Sequence, residues 1–383
     1  INRTYDATDD ARTDETKTSM NYMVDQEDGG GMGFNVGSTW KPINMVAWMQ
    51  KGHSINESLV TSTVYDTSKF NCNGYGFVGP WRVQNSGGGT TSPESPLQGL
   101  IKSHNTTQAS MASNIGLCAI ADAAKEMGYH NAISNASDIY SANSFQPPMT
   151  IGTVQASPLT MANVYATMGA NGVECTPIAI TKVTDRSGSK VKVPSANCHQ
   201  AIDPDIAQTV SYALNQGVVQ PGGEASTTQL DNNRKTFAKT GTNENTVMAT
   251  AGFVPNQVAA FVAVADAQDP INNTFDNKTI NGVYRPSWYG MYIATPAWKQ
   301  FMNTYLAAIN APIDNDYGKG ADKYTVSKGA TRTYNQYQYQ RQQNSQQQSQ
   351  QQSQQQSQQQ TNQGQQQQSQ QQPAEQQSDQ QHQ

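Results

Sequence analysis

Gly37-Ser38-Thr39-Trp40-Lys41-Pro42 places a serine three residues ahead of a lysine. Residues three apart share a helix face, so the Lys41 amine lies within reach of the Ser38 hydroxyl. A serine hydroxyl is a weak nucleophile near neutral pH and needs a base beside it. A lysine taken out of water loses its proton more readily and can be that base. The flanks predict a helix start. Gly37 permits a sharp turn, Pro42 fits only a first turn, and 43–50 is apolar on most sides, as in a buried helix. The spelling alone carries little, because Ser187-Gly188-Ser189-Lys190 repeats it. That copy sits in a Gly/Ser turn beside Asp185 and Arg186 and reads as an exposed hairpin loop.

Two further groups bear chemistry. Ser103-His104-Asn105 falls in a break between helices and offers a second hydroxyl as proton carrier and an amide for a substrate carbonyl. Ser19 and Asn21, Ser141 and Asn143, and Ser195 and Asn197 share that spacing, but only the Ser103 copy follows an amphipathic run. His104 reads as an exposed loop histidine. Lys239-Thr240-Gly241-Thr242 ends a strand, where a lysine and two hydroxyls on an edge can hold a carboxylate. Gly241, with no side chain, lets a substrate backbone lie close along that strand.

The elements that must position these groups are readable in outline. A helical pattern covers 97–127 with one break at 103–105, and Gly128 stops it. Ser157-Pro158-Leu159 opens a helix through Met168, and Asp203-Pro204-Asp205 opens another through Leu214 by the same logic. The runs 235–241, 247–254 and 258–265 predict an antiparallel meander. A helix over 296–309 presents Trp298, Phe301 and Tyr305 to one side of that sheet. Residues 1–36 read as loop, and 53–100 as mostly irregular. Beyond about Asp314 the chain turns polar, and from Tyr334 it is Gln/Ser low complexity, for which disorder is expected.

The totals exclude several classes. The 383 residues carry a net charge of −5 with a pI near 5.5, against the basic balance of a nucleic-acid binder. No apolar run of about 18 residues predicts a membrane span, and the opening residues do not read as a signal peptide. The chain opens at Ile1 in polar sequence and reads as a fragment or processed form. Its four cysteines, Cys72, Cys118, Cys175 and Cys198, form no Cys-x-x-Cys pair, which argues against zinc and thioredoxin-type chemistry. No metal or cofactor is expected. Cys175 and Cys198 bracket the hairpin around Ser187-Gly188, so a disulfide across its base is sterically reasonable and implies an oxidising, extracytoplasmic setting. Four free buried thiols are the alternative. Nothing local brings Cys72 to Cys118.

Ser-x-x-Lys, Ser-x-Asn and Lys-Thr-Gly in this order, on a helix start, an interhelical loop and a strand, are the signature of β-lactamases and penicillin-binding proteins. Over roughly 1–310 the sequence resembles the transpeptidase domain of a class A, bifunctional penicillin-binding protein of the actinobacterial type. The likeness extends through Gly33-Phe34, Trp81-Arg82-Val83-Gln84-Asn85, Ser157-Pro158-Leu159 with Met161-Ala162-Asn163, and Gly252-Phe253. The resemblance implies an α+β fold, an antiparallel sheet flanked by helices, over 1–312; composition sets 313–383 apart as a Gln/Ser-rich tail expected to be disordered. It implies Ser38 as acylated nucleophile, Lys41 as general base, Ser103 as proton shuttle and Asn105 as the orienting amide. Lys239, Thr240, Gly241 and Thr242 would bind substrate and hold its terminal carboxylate. The N–H groups of Ser38 and Thr242 would form an oxyanion hole, where one donor is worth about 3–4 kcal/mol.

The implied reaction is D,D-transpeptidation. Ser38 attacks the penultimate D-Ala carbonyl of a peptidoglycan stem peptide, D-Ala leaves, and a neighbouring stem amine takes the acyl group. The partners implied are stem peptides and β-lactams, with no nucleic acid. A membrane would be met only through an N-terminal anchor outside this stretch, on the extracytoplasmic face of the bacterial cell membrane. The family's sheet has five strands, two of them ahead of the nucleophile. No strand pattern precedes Ser38, so about three strands are expected, with 258–265 as an open edge. The alternatives are a related serine hydrolase, either D,D-carboxypeptidase or β-lactamase, and a catalytically silent fragment or binding module. The deacylating Glu of class A β-lactamases follows the Ser-x-Asn motif. No Glu-x-x-Leu-Asn occurs there, and the similarly spelled Glu94-Ser95-Pro96-Leu97-Gln98 lies before Ser103.

Overall fold

The computed structural model describes residues 4–326 apart from 9–13, 15, 142, 268, 270 and 271. A single turn of 3-10 helix, Gly37–Trp40, leads into α1 (Lys41–Gln50), which is buried at every residue but Gln50. Pro42 sits in the first turn of α1, as its missing N–H requires. Then come α2 (Pro96–Ile101), α3 (Asn105–Ile115), α4 (Leu117–Glu126), α5 (Pro158–Gly169), α6 (Pro204–Val219) and α7 (Gly290–Ala308). Side-chain caps start three of them: Ser95 Oγ accepts from Gln98 N, Ser157 Oγ from Thr160 N, and Asp203 from Asp205 N. The expected single break in 97–127 is two breaks. Gly116, at φ 80° and ψ 150°, divides α3 from α4, a backbone conformation that glycine adopts at no steric cost.

The sheet is a three-stranded antiparallel meander, β1 (Phe237–Asn243), β2 (Val247–Val254) and β3 (Val258–Ala265), paired in that order. β2 is buried along its whole length. Side chains alternate across a strand, and here both faces are covered. Ala249, Ala251 and Phe253 join the main core that α1, α4, α5 and α6 fill. Thr250 meets Thr295 of α7 hydroxyl to hydroxyl at 2.9 Å, and a Cβ at Gly252 would collide with Trp298. Among the described residues no strand pairs with the outer edge of β3.

Helix α7 begins six residues before the expected start and carries Pro296 inside it. Its buried face is Trp298, Met302 and Leu306, at helical spacing. Phe301 and Tyr305 face outward, 47% and 39% exposed, and stack on each other. The expected aromatic face against the sheet is therefore Trp298 alone. The stretch 53–100 holds a short hairpin, Val64–Asp66 with Pro80–Arg82. Ahead of Gly37, Thr4–Tyr5 pairs with Lys17–Thr18 and Phe34–Asn35 with Gln155–Ala156, so 1–36 is more than loop.

Both disulfides form, Cys175–Cys198 and Cys72–Cys118. The second ties the loop after Phe70 to the start of α4, a contact across 46 residues that no local pattern announces. The folded unit also runs past 312. Tyr317 is buried and donates to Met168 O, and Tyr324 O accepts from Ile55 N and Ser54 Oγ. The Gln/Ser run expected to be disordered lies outside the described residues. No described helix is long and apolar enough to cross a membrane.

Candidate active site

Ser38 sits in the 3-10 turn and Lys41 begins α1, with Lys41 N donating to Ser38 O. The turn is held from below: Tyr165 OH donates to Thr39 O at 2.8 Å, and Thr39 Oγ1 to Val36 O at 2.6 Å. Two glycines let three backbones stack here. Gly37 (φ 54°) donates its N–H to Gly152 O at 2.9 Å. A Cβ on Gly152 (φ 92°) would fall 1.8 Å from Gly37 O, and one on Gly37 would fall 2.9 Å from Thr242 O and 3.2 Å from Thr242 N. The backbone leading into Ser38 is thereby pressed against that of Thr242.

Lys41 is wholly buried and Lys239 is 2% exposed. Lys41 Nζ lies 2.6 Å from Ser103 O, 2.7 Å from Asn105 Oδ1 and 3.2 Å from Ser103 Oγ. Lys239 Nζ donates to Ser103 Oγ at 2.8 Å and to Thr240 O at 3.0 Å. Burial first, and the Lys239 charge second, push the Lys41 amine well below the ordinary lysine range, while Glu224 opposes the shift. Burial lowers Lys239 to about 8, again opposed by Glu224. Two ammonium groups around one hydroxyl repel, which favours the neutral form of one of them. The contacts fit a neutral Lys41. Two N–H groups serve the two pure acceptors, Ser103 O and Asn105 Oδ1, and the lone pair is left for a hydroxyl. Ser103 Oγ accepts from Lys239 at 2.8 Å and lies 3.2 Å from Lys41 Nζ. The Ser38 hydroxyl is not among the hydrogen-bond partners of Lys41 Nζ, which are Ser103 and Asn105.

Ser38, Ser103, Asn105, Thr240, Gly241 and Thr242 line one cleft of about 540 Å³, with Lys41 and Lys239 beneath. Three islands read separately in the sequence thus converge. Asn105 Nδ2 gives one hydrogen to Gln84 O at 2.8 Å, which leaves its second for a ligand. Thr242 Oγ1 accepts from Gly290 N at 3.1 Å, so its own hydrogen is free to donate. The Thr240 hydroxyl is turned to Glu224 O at 3.3 Å. For Gly241 the expected reason needs correction. A Cβ there would meet Val36 O and Thr39 Cγ2 at 3.0 Å, so the missing side chain makes room for the turn that carries Ser38.

His104 also departs from its reading as an exposed loop residue. Its side chain is 22% exposed and its Nδ1 lies 2.8 Å from Oε1 of Glu94, a carboxylate only 4% exposed. Sequence reasoning missed this pair, and it missed Glu224, Tyr289 and Tyr292 on the cleft wall. None of Glu224, Tyr289 and Tyr292 belongs to a motif that the sequence displays. A larger groove, about 1260 Å³, runs beside Val264, Phe275 and Lys278. None of the three motifs lines it, so its size does not make it the site of this chemistry.

Residues 14–300 match the family model of the penicillin-binding protein transpeptidase domain, and the chain belongs to that family. Penicillin-binding protein 1A of Neisseria meningitidis serogroup A is 28% identical over 280 residues, covering 70% of this chain and 31% of the relative. The chain therefore spans about a third of the length of the curated relatives it matches. PonA1 from Mycobacterium tuberculosis, solved in complex with penicillin V, superposes with a TM-score of 0.62 at 19% identity, covering 77% of this chain and 74% of that one. The imipenem acyl-enzyme complex of penicillin-binding protein A from M. tuberculosis gives a TM-score of 0.54 at 18% identity, covering 78% and 64%. At such identities these structures establish the fold.

Proposed function

We propose that the chain is a serine-type D,D-transpeptidase that cross-links peptidoglycan stem peptides through a Ser38 acyl-enzyme and is acylated by β-lactams. The observation that carries this reading is the convergence of Lys41, Ser103, Asn105 and Lys239 within hydrogen-bonding distance at the floor of the Ser38 cleft. The substrate's terminal carboxylate docks against the Lys239 ammonium and the Thr242 hydroxyl. Its scissile carbonyl points at the N–H groups of Ser38 and Thr242, which stabilise the developing oxyanion. Neutral Lys41 takes the Ser38 proton as Oγ bonds to the carbonyl carbon. That proton passes through Ser103 to the departing D-Ala nitrogen as the C–N bond breaks. The acceptor amine then attacks the ester, its proton returns along the same path, and Ser38 is released.

The named relatives are about three times as long as the part matched here, which supports a parent with further domains. We read that parent as a peptidoglycan glycosyltransferase too, held by an anchor at the extracytoplasmic face of the membrane. Two disulfides agree with an oxidising compartment. Incubation with a fluorescent penicillin tests the reading: the chain should take one stable label, and Ser38→Ala none. Equal labelling of both rejects Ser38, and release of the label within seconds makes the chain a hydrolase instead.

A further inference from the structure

We propose that Glu94 and His104 form a positioning pair that holds the Ser103–Asn105 turn at the distance from Lys41 that proton transfer needs. The proposal rests on the transpeptidase reading above. Glu94 is fixed in the main chain by two bonds to Leu59, N to O in both directions at 2.9 Å. Its buried carboxylate accepts from His104 Nδ1 at 2.8 and 3.0 Å, and from Thr107 Oγ1. An ionised carboxylate only accepts, so Nδ1 carries the hydrogen. A buried carboxylate keeps its donors because losing one leaves it unsatisfied.

His104 stands between the two motif residues, and the three side chains diverge. Ser103 and Asn105 reach the lysines, whereas His104 reaches back to Glu94. The turn is one a serine does not adopt unaided, since Ser103 lies in the left-handed region at φ 55°. Main-chain bonds fix its entry, with Ser103 N to Leu100 O and His104 N to Gly99 O. Below it α2 and α3 are in close contact, as a Cβ on Gly99 would fall 2.5 Å from Thr107 Cβ. The Glu94 carboxylate therefore grips both the turn, through His104, and the first turn of α3, through Thr107. The hydroxyl so held is the one both lysines share.

The test separates chemistry from folding. Penicillin acylation is followed for wild type, His104→Ala, His104→Gln and Thr107→Val, normalised to the sites that can be acylated, with the acylation rate constant and the pre-covalent Kd resolved separately. His104→Ala should slow acylation about 10–100-fold, the scale of a displacement of about 1 Å at a reacting group, with little change in Kd. His104→Gln, whose amide can still donate to Glu94, should recover most of the rate, and Thr107→Val should fall between. A wild-type rate constant in folded His104→Ala overturns the proposal, as does a Gln variant as slow as Ala. If His104→Ala does not fold, Thr107→Val decides, and a wild-type rate there also overturns it. A wild type that takes no label refutes the reading beneath the proposal rather than the pair.

Discussion

Ser38-x-x-Lys41 and Ser187-x-x-Lys190 are spelled alike and could hardly be housed more differently. Lys41 has no exposed surface, heads a buried helix and shares a hydroxyl with a second buried lysine. Lys190 lies on the exposed two-stranded ribbon Val183–Thr184 and Lys190–Val191, and Ser187 Oγ spends its hydrogen on Asp185 Oδ1 at 2.6 Å. A lysine in water keeps its proton. One walled in beside a like charge gives it up. Burial and neighbours, not spacing, turn a serine and a lysine into a nucleophile and its base.

The comparison can be broken most sharply at the bases. Lys41→Ala should lower the penicillin acylation rate by about 10²–10⁴-fold, the range a general base supplies. Lys190→Ala should leave it within about twofold, as for surface changes remote from a site. The glycines sharpen it next. Gly152→Ala forces a methyl into Gly37 O and should displace the nucleophile turn, with destabilisation of about 3 kcal/mol or more, as for core overpacking, read by thermal unfolding. Gly188 has nothing within 4 Å of its would-be Cβ, so Gly188→Ala should cost about 1–2 kcal/mol of left-handed strain and no acylation rate.

The pH profile follows from the direction of each shift. Lys41 must be neutral to accept a proton, so acylation falls as pH drops through its lowered pKa. Lys239 must be charged to hold a carboxylate, so capture of an anionic β-lactam falls as pH rises through about 8. A bell with its alkaline limb at about 8 is expected, the two limbs belonging to the coupled pair, and Lys190→Ala should trace the same curve. The smallest effect is expected at the hairpin base. Replacing Cys175 and Cys198 by Ser should loosen the ribbon to proteolysis while acylation stays within about twofold.

Much of this was legible because it is local. Ser157 and Asp203 announce their helices by capping chemistry, and the meander is short-range pairing whose turns carry left-handed Asn245 and Asn256. The three motifs could be read because each keeps its chemistry within four residues. What was hidden depends on contacts across long stretches of chain. Cys118 meets Cys72 across 46 residues, and Tyr324 returns to Ser54 across 270. The reason for Gly241 was hidden likewise, since its neighbours Val36 and Thr39 lie two hundred residues upstream. Phe301 misled for another reason: an aromatic side chain predicts burial only when its helix phase is known, and the core took Trp298, Met302 and Leu306 instead.

The nucleophile proposed here is the serine of the buried copy of the motif, Ser38, and not that of the exposed one, Ser187. Peptide mapping of the chain after reaction with benzylpenicillin tests it directly. One penicilloyl adduct is expected, on the peptide containing Ser38, absent from Ser38→Ala and untouched in Ser187→Ala. An adduct at Ser187, at Ser103, or persisting in Ser38→Ala would contradict it.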